Sequence, residues 1–199
     1  DYRTIIFMHP SYMCIPSAIG GIALIYRLPS IRPVDTTHSE DSIILNANVI
    51  AGIFNGSITK WDDPRITSLN AHLTGFPNSD IIAYHRTKPS GTTYLFTYAL
   101  SRMSQEWAQN YGYNATIQWP VTVDRSTIDT NDAMLRQIAD RTNELSIGYV
   151  SMATLYDTQN LEYASKVKVA RIINQQGEAV FPTRATIKEA REAHVKTNP

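Results

Sequence analysis

The chain has 199 residues, 43% of them hydrophobic, and carries 18 Lys plus Arg against 18 Asp plus Glu, a length that suits one compact unit or a core with a small appendage. A formal net charge of zero leaves no overall field to track nucleic acid or to coat an anionic membrane, so any anion site has to be local. The single cysteine, Cys14, excludes an internal disulfide and a cysteine zinc cluster, and no apolar run approaches the roughly 18 residues of a membrane-spanning helix.

The first residues include Asp1 and Arg3 rather than an export-signal pattern, and the start at Asp1 in place of Met suggests a processed product or, the favoured reading, a piece of something longer. Residues 1–17 mix aromatics with Pro10 and Pro16 without a period, an irregular lead-in. Residues 18–180 are expected to form the main lobe and 181–199 a terminal helix and tail. Gly20-Gly21 followed by Ile22, Ala23, Leu24, Ile25 and Tyr26 predicts a buried strand, stopped by Pro29 and Pro33. The polar, breaker-rich stretch 32–42 predicts a surface loop. Val49, Ile50 and Ile53 at helical spacing predict a helix over 46–54 with Gly56 as its stop. Asp63-Pro64, an acidic cap followed by proline at the first helical position, starts another that runs to about Leu69. Ile81, Ile82 and Tyr84 predict a short strand that ends at His85-Arg86.

Phe96, Leu100, Met103 and Trp107 fall at steps of four, three and four, which predicts one long amphipathic helix over 90–110. A further helix is expected over 128–140 with Ile128, Met134, Leu135 and Ile138 inward, then a strand over 146–150. Alternation over 166–173 predicts a late strand, and 186–194 an exposed, charged helix. Helices alternating with short strands give an α/β layer fold, in which ligands sit at the carboxyl ends of strands and the amino ends of helices.

The segment that carries chemistry is His85-Arg86-Thr87-Lys88-Pro89-Ser90-Gly91-Thr92-Thr93, from a strand end into the long helix. A helix start exposes unpaired amides and a partial positive charge, and a residue as small as Gly91 lets an anion approach them. Ser90 and Thr92 add hydroxyl donors, and the planar fork of Arg86 meets two oxygens of one anion. The same residues also read as an ordinary cap next to a solvated arginine.

Consecutive segments resemble the periplasmic phosphate-binding protein family of the ABC phosphate importers. They are Ile15-Pro16, Ile19-Gly20-Gly21-Ile22-Ala23, Ile53-Phe54-Asn55-Gly56-Ser57-Ile58-Thr59-Lys60-Trp61-Asp62-Asp63-Pro64 with Leu69-Asn70, and the 85–93 segment. Gln118-Trp119-Pro120, Ser146-Ile147-Gly148-Tyr149-Val150 and Asn160-Leu161 follow in the same order. The resemblance implies a type II periplasmic binding protein (PBP-like) lobe, a mixed sheet flanked by helices, from an incomplete two-lobed protein. It implies phosphate contacts at Arg86, Ser90, Gly91 and Thr92, and a location that is periplasmic, cell-surface or extracellular; Lys88 and Thr93, beside those contacts, are read as modulators.

Three departures qualify that picture. The family has an acidic residue and a glycine where this chain has Lys88-Pro89, which removes an acceptor for the arginine and adds positive charge. Its glycine-rich stretch after the Trp-Pro pair is replaced by Val123-Asp124-Arg125-Ser126-Thr127-Ile128-Asp129-Thr130-Asn131-Asp132. The first-lobe donors and the aspartate that accepts the proton of hydrogen phosphate have no matching position, so the missing lobe or another chain is the expected partner. Two readings result: non-enzymatic binding of phosphate or a similar oxyanion, or a PBP-like module reused structurally or adhesively in a larger extracellular assembly, without ligand.

No cofactor is expected. His9, His38, His72, His85 and His194 lack ligand spacing. Ser90 has no identifiable His or Asp partner and no Gly-x-Ser-x-Gly elbow, which argues against a hydrolase. Trp61, Trp107 and Trp119 are assigned to the core, and Asn55 and Asn114 head acceptor sequons for glycosylation if the protein is secreted by a eukaryote.

Overall fold

The computed structural model describes residues 20–35, 41–120 and 128–197; the predicted lead-in over 1–17 lies outside them. The alternation of β1 (Ile22–Arg27) sets the layout. Its residues point to opposite faces in turn, so Leu24 and Tyr26 enter one core cluster and Ala23 and Ile25 the other. β6 (Ser146–Ser151) repeats the pattern, with Ile147 and Tyr149 on the first side and Val150 on the second. The two strands pair antiparallel from Ile22↔Ser151 to Arg27↔Ser146. β5 (Ile82–Ala83) adds parallel to β6, and β7 (Lys168–Val169) adds antiparallel to β1, giving the order β5-β6-β1-β7.

On the first face lie α1 (Ala47–Asn55), α3 (Gly91–Met103) and α4 (Gln105–Asn110), which supply Phe54, Phe96 and Trp107 to the larger cluster. Asn46 caps α1 by accepting from the Val49 amide, and Gly56 ends it at φ 79°, a conformation that glycine adopts without Cβ strain. Phe54 is fully buried and meets Phe96 edge-on at 4.9 Å between ring centres. Burying such a ring stabilises by roughly 1.5–3 kcal/mol relative to exposure. On the second face α5 (Asn131–Ala139) packs Met134, Leu135 and Ile138 against Ala23, Ile25 and Val150. Asp63 caps α2 (Pro64–Thr67), which tightens into a 3₁₀ turn over Ser68–Asn70. The short helices α6 (Met152–Tyr156) and α7 (Leu161–Ala164) follow β6.

Several expectations need correction. The helix predicted over 90–110 is two, because Ser104 turns extended (φ −129°, ψ 114°), closes α3 through its amide and caps α4 by accepting from the Trp107 amide. A serine able to cap satisfies its neighbours better at a break than mid-helix. The helix predicted from Ile128 starts at Asn131 behind a Thr130 cap, while Ile128 bridges Arg86 in parallel fashion. The loop over 32–42 contains β2 (Arg32–Pro33), paired with β4 (Leu73–Thr74); proline is tolerated there because the ladder is only two residues wide. The strand predicted over 166–173 divides at the buried Ala170, whose amide donates to the Leu24 carbonyl. β7 stays with β1, whereas β8 (Arg171–Ile173) leaves to pair in parallel with β3 (Ile44–Leu45), an element not predicted. β8 returns antiparallel into β9 (Ala179–Val180). The terminal helix α8 spans Arg184–Thr197.

Candidate anion site

Because β5 and β6 run parallel, their carboxyl ends open on the same edge of the sheet. β5 leads through His85 and Arg86 to the start of α3, and β6 brings Tyr149 beneath that turn. The buried Tyr149 hydroxyl accepts from the Arg86 amide at 3.2 Å and pairs with Thr93 Oγ1 at 2.8 Å. Its ring stacks on Phe96 at 4.3 Å. Burial raises the Tyr149 pKa, partly opposed by the hydrogen bond shared with Thr93, so the phenol stays neutral and able to donate. The ring of His85, itself buried, stacks on Trp119 at 4.7 Å.

Ser90 is the N-cap of α3 in extended conformation, and its Oγ accepts from the amides of Thr92 at 3.2 Å and Thr93 at 3.5 Å. Its own amide donates to the Ala115 carbonyl at 2.9 Å. A hydroxyl that accepts from the helix keeps its hydrogen for a further acceptor. Gly91 is exposed, and a Cβ built there meets no atom of the described residues within 4 Å, which leave the space over the helix start open. Thr93 points inward to Tyr149 and away from that opening, and Trp61 and Trp107 are fully buried.

The charged partner of this turn was not foreseen. The Asp129 carboxylate meets Lys88 Nζ at 2.6 Å and accepts from Thr87 Oγ1 at 3.0 Å, while the Asp129 carbonyl accepts from Arg86 Nη2. The hydrogen bond from Lys88, then that from Thr87, hold the Asp129 carboxyl below its ordinary pKa. One residue on, Asn131 Nδ2 donates to Thr92 Oγ1 at 3.3 Å, so the capped starts of α3 and α5 touch. Two buried polar atoms of this group have no partner among the described residues: the donor Arg86 Nε and the acceptor Asn131 Oδ1. Orphaned buried polar atoms are uncommon in native proteins and call for an explanation.

Profile comparison matches residues 8–197 to the PBP superfamily domain. The chain belongs to that superfamily. It is 34% identical over 180 residues to the phosphate-binding protein PstS of Methanocaldococcus jannaschii, covering 88% of this chain and 42% of that protein. Against PstS of Haemophilus influenzae it is 33% identical over 183 residues, covering 91% and 48%. The chain thus spans less than half the length of these curated relatives. Among solved structures it superposes on PstS from Borrelia burgdorferi with a TM-score of 0.55 at 18% identity, over 86% of this chain and 53% of that one. A high affinity periplasmic phosphate-binding protein bound with phosphate gives a TM-score of 0.58 at 21% identity, over 88% and 44%. The mixed α/β fold with helices on both sheet faces is that of a PBP-like lobe.

Of the two sequon asparagines, Asn114 is exposed, whereas Asn55 ends α1 and its Nδ2 donates to Glu106 Oε1 at 3.3 Å. Among the described residues no group of three His, Cys, Asp or Glu is placed to hold a metal ion, and no helix is long and apolar enough to cross a membrane.

Proposed function

We propose that this chain binds phosphate or a similar oxyanion without catalysis, at the start of α3, using Arg86 with Ser90, Gly91 and Thr92. The observation that carries this reading is the buried Arg86 Nε, a charged donor with no partner among the described residues, near a capped helix start where those residues also leave the Gly91 side open. A guanidinium donor left unpaired is costly unless an acceptor arrives, and an oxyanion supplies one that the helix amides and partial charge also favour. Lys88 adds positive charge nearby, moderated by Asp129. Curated relatives named phosphate-binding proteins, similar across most of this chain, support the same ligand class. The remaining contacts then come from a second lobe, on the same or another polypeptide, and the protein works outside the cytoplasm, as a periplasmic or surface component.

A specific observation also favours structural reuse. Arg86 Nη2 and Lys88 already engage Asp129, as they would in a turn that is locked rather than awaiting a ligand. Titration calorimetry of phosphate into the chain and its Arg86→Ala variant at low salt, with sulfate as control, separates the two. Saturable heat abolished in the variant supports binding. Silence from the wild type, repeated with a second lobe supplied, sinks it in favour of the structural reading.

A further inference from the structure

At the far end of α5 from the anion site lies a cleft of about 400 Å³ lined by Arg136, Ala139, Asp140, Arg141, Tyr163 and Lys166. We propose that it docks an acidic segment of a partner protein, a role independent of the oxyanion reading. Three of the six lining residues are cations, in a chain whose formal charge is zero. The neighbouring carboxylates are largely committed. Glu162 pairs with Lys166 at 2.6 Å. Asp140 accepts from the amide and hydroxyl of Thr142, each at 2.8 Å. Glu144 faces Arg27 at 3.5 Å, and Arg27 Nη1 in turn donates to the Lys166 carbonyl at 3.0 Å, fixing the cleft wall. Among the described residues neither Arg136 nor Arg141 has a carboxylate oxygen within 4.0 Å. Two exposed guanidinium forks therefore stand on one rim without an ion-pair partner among the described residues, opposed within the cleft by the single charge of Asp140.

The geometry selects among anions. Arg136 Cζ lies 5.1 Å and Lys166 Nζ 5.5 Å from the centre of the Tyr163 ring, so the ring already holds two of the cleft's cations. The cleft is far larger than one tetrahedral anion, and its cations come from different elements: Arg136 on α5, Arg141 on the turn after it, and Lys166 beyond α7. Separated cations suit carboxylates spaced along a peptide, each arginine taking one through paired N–H donors. Contacts of this kind steer association and depend steeply on salt.

The test uses the full chain and a fluorescein-labelled decapeptide of alternating Glu and Gly, read by anisotropy. Saturable binding is expected, weakened several-fold on going from about 20 to about 200 mM salt, and weakened about tenfold or more in Arg136→Gln/Arg141→Gln. The charge-matched control Arg102→Gln/Lys188→Gln, elsewhere on the surface, should bind as wild type does, and circular dichroism verifies that each variant is folded. Absence of saturable binding, equal binding of the Gln-for-Glu peptide, or an unaltered affinity in the arginine double variant overturns the proposal. Complete displacement by about 1 mM inorganic phosphate also overturns it, since the cleft is then a small-anion site.

Discussion

Replacing Ser90 in two ways separates its service to the helix from its service to a ligand. Ser90→Ala removes the oxygen that accepts from the Thr92 and Thr93 amides, and loss of such a cap costs about 1 kcal/mol, within a range of about 0.5–2. Two features of the site pull against each other within that range. Thr93 is 1% exposed, so its amide cannot turn to water, which raises the cost. Its bond to Ser90 is long at 3.5 Å, which lowers it. The expected loss is about 1 kcal/mol, or about 2–4 °C in melting temperature for a chain of this length. Ser90→Gly, by contrast, leaves space for water at the part-exposed Thr92 amide and costs only a few tenths of a kcal/mol, yet deletes the same hydroxyl. If that hydroxyl donates to the oxyanion, Ser90→Gly weakens phosphate binding about fivefold, equivalent to about 1 kcal/mol, with the fold barely disturbed. Urea unfolding monitored by far-ultraviolet dichroism gives the stabilities and calorimetry the affinities. Equal destabilisation by Ala and Gly would refute the capping argument; unchanged affinity in Ser90→Gly would remove the hydroxyl from the site.

Tyr149→Phe deletes the oxygen shared by the Arg86 amide and Thr93 Oγ1 and should destabilise by about 1–3 kcal/mol in urea unfolding, since both partners are left without it in a closed interior. Gly148→Ala places a Cβ 2.7 Å from Met134 Sδ and 2.8 Å from Ile138 Cδ1, both fully buried, and overpacking of this kind costs about 1–3 kcal/mol, seen as a lowered urea midpoint. Asp129→Asn tests the partner of Lys88 through pH. A carboxyl whose pKa is lowered by folding stabilises fully above its unfolded value of about 3.9 and loses that contribution as pH falls through the folded value. The wild type should therefore exceed Asp129→Asn in melting temperature near neutrality, and the two should converge in acid below the ordinary aspartate range; a gap that persists there would refute the pairing.

Local chemistry made much of the fold legible. The run of five apolar residues after Gly20-Gly21 is β1, and caps at Asn46, Asp63 and Ser90 start helices where their side chains can accept from unpaired amides. What stayed hidden depends on tertiary pairing. β3 and β4 are two residues long, too short for a period to register. Ala170 lies inside a continuous alternation, and only its bond to Leu24 reveals that the chain changes sheets. The candidate site divides in the same way. Arg86, Ser90, Gly91 and Thr92 fall within seven residues of sequence, on a strand end running into a capped helix. Tyr149, Asp129 and Asn131 reach them from 37 or more residues further along, and the sequence marks them only as a strand residue and as the approach to a helix.

The exchange of Lys88 for the family's acidic residue becomes physically coherent once Asp129 is placed. A lysine inserted beside Arg86 would concentrate two positive charges on one short turn, a repulsion that costs stability in the absence of an anion. Asp129 faces both, through its carboxylate to Lys88 and its carbonyl to Arg86, so a carboxylate faces this turn from a different segment. The compensation is partial. Arg86, Lys88 and Asp129 leave one net positive charge, where an arginine with an adjacent carboxylate would leave none. An ion pair lying between the Arg86 turn and the approach to α5 also ties together the two helix starts that Asn131 and Thr92 bring into contact. The charges of Lys88 and Asp129 therefore bear on the spacing of these two helix starts as well as on the field between them, and any effect of Lys88 on anion binding has to be measured alongside its effect on the position of α5.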